Sequence, residues 1–271
     1  MDLGQEKLFF VYSEDYCGMK DTRSSKSHTK VPKVLCVIPA KGNSRRLPKK
    51  NIKLLAGKPL VVWTIEAAQK AKRVTDYLVS SDDPEIIEVA EKYGAPVPFV
   101  RPAELATDTV RNIEVVRHAL QFMENERQMT YDIVINLQPT SPVRDPAHID
   151  QAVEMLWASD LDSLVSVKGP YQKRDPVLKA IRKGVLEDYC PVEDPTDAEP
   201  AYMYNAALYA VKRDYFIKHN KLISPRQVPL IMDTIYSVDV DTEADFLVAE
   251  TYLNFLARRS ASIDSKQGDS N

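Results

Sequence analysis

Val34-Leu35-Cys36-Val37-Ile38-Pro39-Ala40-Lys41-Gly42-Asn43-Ser44-Arg45-Arg46-Leu47-Pro48-Lys49-Lys50-Asn51-Ile52-Lys53 passes abruptly from an apolar run into a basic loop. Five consecutive apolar residues, Val34 to Ile38, are too few for a buried helix and read as a strand covered on both faces. In an open α/β sheet, ligands bind at the carboxyl ends of strands, which is where a loop following the first strand lies. Six cations fall in the thirteen residues from Lys41 to Lys53, and no acidic residue occurs between Asp21 and Glu66. With no local counter-charge, the loop is expected to take its anions from a ligand, a solvated basic loop being the plainer alternative. Small residues such as Gly42 and Ser44 let backbone N–H groups approach phosphate oxygens.

Downstream, strand-like and helix-like patterns alternate. Strands are expected at Tyr77–Ser80, Val97–Val100, Ile133–Gln138 and Ser163–Val167, and helices at Pro59–Ala71, Pro84–Lys92, Asn112–Glu126 and Pro146–Ala158. That rhythm predicts an α/β fold with a mostly parallel, doubly wound sheet. It breaks between Gly169 and Tyr204, where Val177–Ile181 and Val185–Tyr189 flank a Lys183-Gly184 turn and a Pro- and acid-rich stretch follows. Residues 170–202 therefore read as an inserted β-hairpin arm. Ala206–Val211, a short helix after Arg213, a strand at Ile235–Val240 and a helix at Thr242–Leu256 close the pattern. One domain over 33–259, between flexible tails at 1–32 and 260–271, is expected.

Composition narrows the function. With 36 Lys+Arg against 39 Asp+Glu, the net charge of −3 gives no basic footprint for nucleic acid or an anionic membrane, so the partner is expected to be small. No apolar run approaches the ~20 residues of a membrane span, and the N-terminus shows no apolar signal core, so a cytoplasmic protein is expected. The three cysteines and four histidines fall in no disulfide or zinc spacing, and the eight glycines write neither GxGxxG nor GxxxxGK[ST].

Three further stretches carry chemistry. Asp239-Val240-Asp241, at the end of an expected strand, places two carboxylates on one face, a hard-cation site for magnesium with a nucleotide; Asp241 or Thr242 capping the next helix is the plainer alternative. Leu137-Gln138-Pro139-Thr140-Ser141-Pro142-Val143-Arg144 is a stiff polar loop following an apolar strand. Asn205 at the head of Ala206–Val211 is a weaker signal. Ser141 and His148 do not read as a nucleophile pair, and Cys36 reads as a small core residue.

On these stretches the sequence resembles the acylneuraminate cytidylyltransferase family, over about residues 33–258. Val37 to Asn51 is similar to that family's nucleotide loop and Leu137 to Pro142 to its second signature. Ser80-Ser81-Asp82-Asp83, Arg101 to Ala106, Asn205 to Tyr209 and Asp239 to Asp241 follow in family order. The resemblance implies a CTP-dependent nucleotidyltransferase that joins CMP to the anomeric hydroxyl of a 2-keto-3-deoxy sugar acid and releases pyrophosphate. Lys41, Gly42, Ser44, Arg45 and Asn51 are implied at CTP, Lys50 and Arg45 at the charge developing on the α-phosphate, and Ser81 and Arg101 at the nucleoside. Gln138, Thr140, Lys179, Asn205 and Ala206 are implied at the sugar acid, and Asp239 and Asp241 at Mg²⁺, with Mn²⁺ as a substitute and Asp241 also catalytic. The family's arm makes homodimers, and residues 170–202 are placed to do so.

Two residues depart from the family pattern: Lys41 stands where arginine is usual and Ala206 where glycine is usual. Lysine keeps the charge and loses the bidentate fork; Ala206 adds a methyl beside the sugar pocket. The Gln-Pro-Thr-Ser-Pro signature favours nine-carbon acids, with N-acetylneuraminic, legionaminic and pseudaminic acid all admitted alongside an eight-carbon relative. The rival readings are another sugar- or polyol-phosphate nucleotidyltransferase and a non-catalytic nucleotide-binding subunit.

Overall fold

The computed structural model describes residues 30–44, 46–171, 179–182, 185–188 and 201–268. The expected N-terminal tail up to residue 29, Arg45 and the whole Pro- and acid-rich stretch lie outside them. After β1 (Val34–Pro39), the basic loop makes a 3-10 turn, Lys50–Ile52, then a hairpin of β2 (Leu54–Leu55) and β3 (Lys58–Pro59). There follow α1 (Leu60–Lys70), β4 (Asp76–Ser80), α2 (Pro84–Lys92), a 3-10 turn at Ala103–Leu105, α3 (Asn112–Arg127), β5 (Ile133–Leu137) and α4 (Pro146–Ala158). Next come β6 (Ser163–Tyr171), β7 (Lys179–Arg182), β8 (Val185–Asp188), β9 (Ala201–Lys212), α5 (Arg213–His219) and β10 (Gln227–Ile231). A 3-10 turn at Thr234–Tyr236 and α6 (Glu243–Gly268) close the chain.

The main sheet has the order β10-β6-β9-β5-β1-β4. β1 runs parallel to β4 and β5, and β10 parallel to β6, whereas β9 lies antiparallel between β5 and β6. The fold is thus α/β with a mostly parallel sheet, as expected. Because β9 runs backwards, its early residues lie beside the carboxyl end of β5, with Leu208 opposite Leu137. That inversion carries Asn205 and Ala206 to the same sheet edge as the loops after β1 and β5.

Alternation along β1 divides the core. Val34, Cys36 and Ile38 face α1, α2 and α4, while Leu35 and Val37 face α3 and α5. All five are fully buried, which is why the strand reads as one apolar run instead of an alternating one. Burial pushes the Cys36 thiol up, in keeping with a packing role. A third cluster, built from Leu47, Leu55, Leu60, Val143, Val240 and Phe246, packs the basic loop and α6 together.

Helix starts follow local chemistry. Asp83 accepts from the Glu85 and Ile86 amides ahead of Pro84, and Asp145 accepts from the Ala147 amide ahead of Pro146. His148 returns the favour at α4 by accepting from the Asp145 amide, 3.3 Å away. It is a helix-cap residue.

Three expectations change. Val97–Val100 is no strand: Pro96 and Pro98 lack N–H donors, and only an isolated bridge joins Val100 to Ser81. Ile235–Val240 is no strand either; Tyr236 ends a 3-10 turn and the next residues are irregular. The strand in that region is β10, whose Pro229 is tolerated at the sheet edge. The last helix extends beyond Leu256 through Gly268. Within the expected arm, β7 and β8 pair antiparallel as a separate two-stranded sheet.

Candidate active site

A cleft of about 290 Å³ opens at the carboxyl ends of β1 and β5. Lys41, Lys50, Asn51, Arg101, Gln138, Thr140, Ala206, Asp239 and Asp241 line it, together with Leu105, Thr107, Val110 and Asn112. Nine residues singled out from the sequence are thereby brought to one cavity from five separate stretches.

The basic loop does not wait for a ligand to supply its anions. Lys41 Nζ lies 2.5 Å from Asp108, and Lys50 Nζ lies 3.1 Å from Asp241 Oδ1. Arg46 reaches Asp241 Oδ2 at 2.5 Å, Lys49 pairs with Glu85, and Lys53 lies 2.6 Å from Glu243 Oε2. The counter-charges come from 36 to 195 residues away, so the local deficit of acids is real and its inference of bare cations is corrected. Most of these pairs are exposed and worth little to stability. Lys50 is the sheltered one, with its side chain only 12% exposed and a second bond, 2.9 Å, to the Val240 carbonyl.

Arg101 differs from them. It is buried, donates to the Ser80 hydroxyl and carbonyl, and among the described residues has no carboxylate within ion-pair distance. Burial pulls its guanidinium down to about 10, against a rise from the Asp82 charge. An unpaired cation in a cleft wall is suited to an anionic ligand.

The loop's shape is held from below. Asn51 Nδ2 donates to the Lys41 carbonyl at 2.9 Å, while its buried Oδ1 has no partner among the described residues. Gly42 packs on the turn after β4, where a β-carbon would stand 2.7 Å from that of Asp83. Its amide points at Asp82, 3.3 Å away. Gly42 and half-buried Ser44 do not line the cleft, and neither does Ser81, whose hydroxyl accepts from the Asp83 amide. Lys179 is described only in its backbone, within β7.

Beside Lys50, the Asp239–Asp241 segment is joined to the Gln138–Arg144 loop by the Val240 amide and Thr140 carbonyl, 2.7 Å apart. Both carboxylates reach the cleft without strand alternation to put them there. Burial raises the Asp239 carboxyl above the usual carboxylate range; a Thr140 hydrogen bond and Lys50 oppose the rise, and Asp241 adds to it. The cap of α6 belongs to Thr242, whose hydroxyl and amide meet Asp245 Oδ2 at 2.8 Å, leaving the Asp241 carboxylate for the cleft.

Asn205 is turned inward. Its Oδ1 accepts from Ser166 Oγ at 2.6 Å and from the Ala207 amide, and its Nδ2 donates to Ser237 Oγ at 3.0 Å. It does not line this cleft but an adjoining one, which it shares with Ala206 and Asp239; Ala206, with φ of 60°, lines both. Leu105, Thr107, Val110, Asn112 and the Asp108 partner of Lys41 were missed from sequence; the polar Thr107-Asp108-Thr109 cluster at the entry to α3 is the signal that marks them.

The sequence matches the family described as cytidylyltransferase over residues 35–250. The chain belongs to the cytidylyltransferase family. This cytidylyltransferase is 34% identical over 237 residues to a CMP-N,N'-diacetyllegionaminic acid synthase of Legionella pneumophila, covering 80% of the chain and 95% of that relative. It is 30% identical over 221 residues to a pseudaminic acid cytidylyltransferase of Campylobacter jejuni, covering 80% and 95%. A solved CMP:2-keto-3-deoxy-manno-octonic acid synthetase complexed with CTP shares the fold of the cytidylyltransferase at a TM-score of 0.61 and 18% identity, over 82% of this chain and 98% of that one. Among the described residues, no helix is long and apolar enough to cross a membrane.

Proposed function

We propose that this cytidylyltransferase transfers CMP from CTP to the anomeric hydroxyl of a 2-keto-3-deoxy nonulosonic acid, with release of pyrophosphate. The observation that carries the reading is one cleft lined together by the cations Lys41, Lys50 and Arg101, the carboxylates Asp239 and Asp241, and the polar or small residues Gln138, Thr140 and Ala206. The names of the two bacterial relatives support an acid of the legionaminic or pseudaminic type.

Lys41 and Arg101 bind the nucleotide, and Asn51 fixes the loop that presents Lys41. Lys50 meets the charge that grows on the α-phosphate as the acceptor oxygen attacks, where a preorganised cation acts most strongly. Gln138 and Thr140 orient the acceptor. Asp239 and Asp241 are the magnesium ligands of this proposal, and the donor set fits: Mg²⁺ takes one or two carboxylates and completes its shell with phosphate oxygens and water. Among the described residues no group of three or more acidic, His or Cys side chains could hold a metal alone, which agrees with a cation that arrives with the nucleotide. When bound, Mg²⁺ neutralises phosphate charge and aligns the leaving group. Residues 170–202 are proposed to form a homodimer arm; sedimentation of a version with the arm replaced by a Gly/Ser linker tests that, and an unchanged sedimentation coefficient rejects it.

Pyrophosphate release with CTP and a panel of eight- and nine-carbon sugar acids tests the function. Release that requires both CTP and a nine-carbon acid is expected. Release with sugar phosphates and none with the acids overturns the reading.

A further inference from the structure

Arg144 closes the loop that began at Gln138, and it is buried, with 7% exposure, behind the cleft wall. Its guanidinium donates to the Gln138 carbonyl at 3.2 Å, to the Ala207 carbonyl, and to Thr64 Oγ1 on α1 at 3.4 Å. No carboxylate lies within ion-pair distance of it among the described residues, and its Nε has no hydrogen-bond partner. A buried, unpaired cation is expensive, and an apolar residue of similar volume would pack the same space more cheaply. Something other than packing accounts for a guanidinium here.

The reason lies in β9. Pairing to β5 ends at Leu208, and pairing to β6 slips between Val165 and Val167, opposite Tyr209 and Tyr204. Residues 205–207 therefore leave the ladder on both sides, and their backbone needs other partners. The Ala207 amide donates to Asn205 Oδ1 at 3.2 Å, and the Ala207 carbonyl accepts from Arg144. Ser166 Oγ accepts from the Leu208 amide at 2.8 Å and contacts Asn205 Oδ1. Side chains thus replace the missing strand neighbours. The residue they hold out is Ala206, in the left-handed region at φ 60°, with the cleft in front of it. One guanidinium ties that bulge to the backbone of Gln138, the other residue at the acceptor end.

The geometry points to Arg144 as a positioning residue for the acceptor: it fixes the Ala206 bulge against Gln138 and so sets the shape of the pocket in which the sugar acid is held. Arg144 itself does not line the cleft. The nucleotide-facing cations Lys41, Lys50 and Arg101 come from other segments, so loss of the tie is felt by one substrate and not by both. A lysine has no planar fork with which to reach two carbonyls and a hydroxyl together.

This inference rests on the sugar-acid reading above, and its test separates the two. The acceptor used is whichever member of the sugar-acid and sugar-phosphate panel the parent enzyme turns over, so a wrong acceptor class shows in the parent alone. Arg144→Lys, Arg144→Met and Ser166→Ala are compared with the parent for thermal transition, CTP binding by calorimetry without acceptor, and KM and kcat for each substrate. Arg144→Lys is expected to keep its thermal transition and bind CTP within about threefold of the parent, with the acceptor KM raised about tenfold or more. Arg144→Met should show a larger loss of the same kind, and Ser166→Ala, which loosens the bulge from its other side, a smaller one. Equal losses for CTP and acceptor, or an unchanged acceptor KM in folded Arg144→Lys, overturn the proposal. If neither Arg144 variant folds, an unchanged acceptor KM in Ser166→Ala overturns it.

Discussion

Lys50 and Asp241 are held together across 191 residues of sequence, Nζ to Oδ1 at 3.1 Å. The other oxygen of Asp241 holds Arg46, so one carboxylate stands among the cations where the proposal puts phosphate. On that proposal, nucleotide entry would exchange a protein anion for a substrate one.

Asp241→Asn should release both cations. CTP binding without metal is expected to stay equal or tighten, while kcat falls about a hundredfold or more as the cation's cage loses a charge. Lys50→Ala should lower kcat more than it weakens CTP binding, because its contribution grows in the transition state. Calorimetric CTP titrations beside single-turnover rates check both. Weakened binding with turnover preserved in Asp241→Asn would make the residue only a prop for Lys50.

Gly42→Ala should damage the nucleotide loop through α2. The added methyl meets Asp83, the N-cap of α2, at 2.7 Å from its β-carbon and against its Oδ2. A loss of about 1–2 kcal/mol of stability and a CTP KM raised about tenfold are expected. Asp83→Gly in the same chain removes the obstacle and keeps an acceptable cap, so the double variant should recover part of both losses. Additive effects in urea melts and kinetics would show the two positions to be independent.

Ala206→Gly should stabilise the protein by about 1 kcal/mol, since glycine takes the left-handed conformation without the β-carbon's strain. The urea midpoint reports it. Removing the methyl from the cleft wall should also widen acceptor choice, read as a smaller ratio of kcat/KM between the best acid and its bulkier relatives.

His148 gives stability a pH dependence. Burial holds its pKa down to about 4, with Asp145 opposing and Arg144 assisting. The unfolded chain, near the ordinary value of about 6.5, binds the proton more readily, so this stability is complete above about pH 6.5 and lost as pH falls through about 4. The amount is at most about 3 kcal/mol. His148→Gln should flatten the slope of unfolding free energy between those pH values; a slope equal to the parent's would show that other groups carry it.

The frame of the fold was legible where local chemistry decides it. Two-faced burial made Val34–Ile38 an unbroken apolar run, and Asp83-Pro84 and Asp145-Pro146 announced their helices. Sequence reading failed where distant partners decide. Val97–Val100 has strand-like side chains, yet Pro98 removes a donor; Gln227–Ile231 contains Pro229, yet it sits at an edge that forgives it. The Asp239–Asp241 pair reached the cleft for another reason than the one anticipated, a backbone bond to Thr140. Counter-ions for the basic loop were invisible because charge counted along the chain says nothing of charge that folding imports.

The reversed strand β9 has a consequence during synthesis. It lies between β5 and β6, so a nascent chain that ends before Ala201 holds two separate half-sheets, β4-β1-β5 and β6 alone. Each half then presents an unpaired, apolar strand edge. The joining of the two parts of the sheet, and with it the arrival of Ala206 at the cleft, waits until β9 has left the ribosome, and β10 completes the sheet later still. Until β9 is available, the edges of β5 and β6 that it covers have no strand partner from this chain.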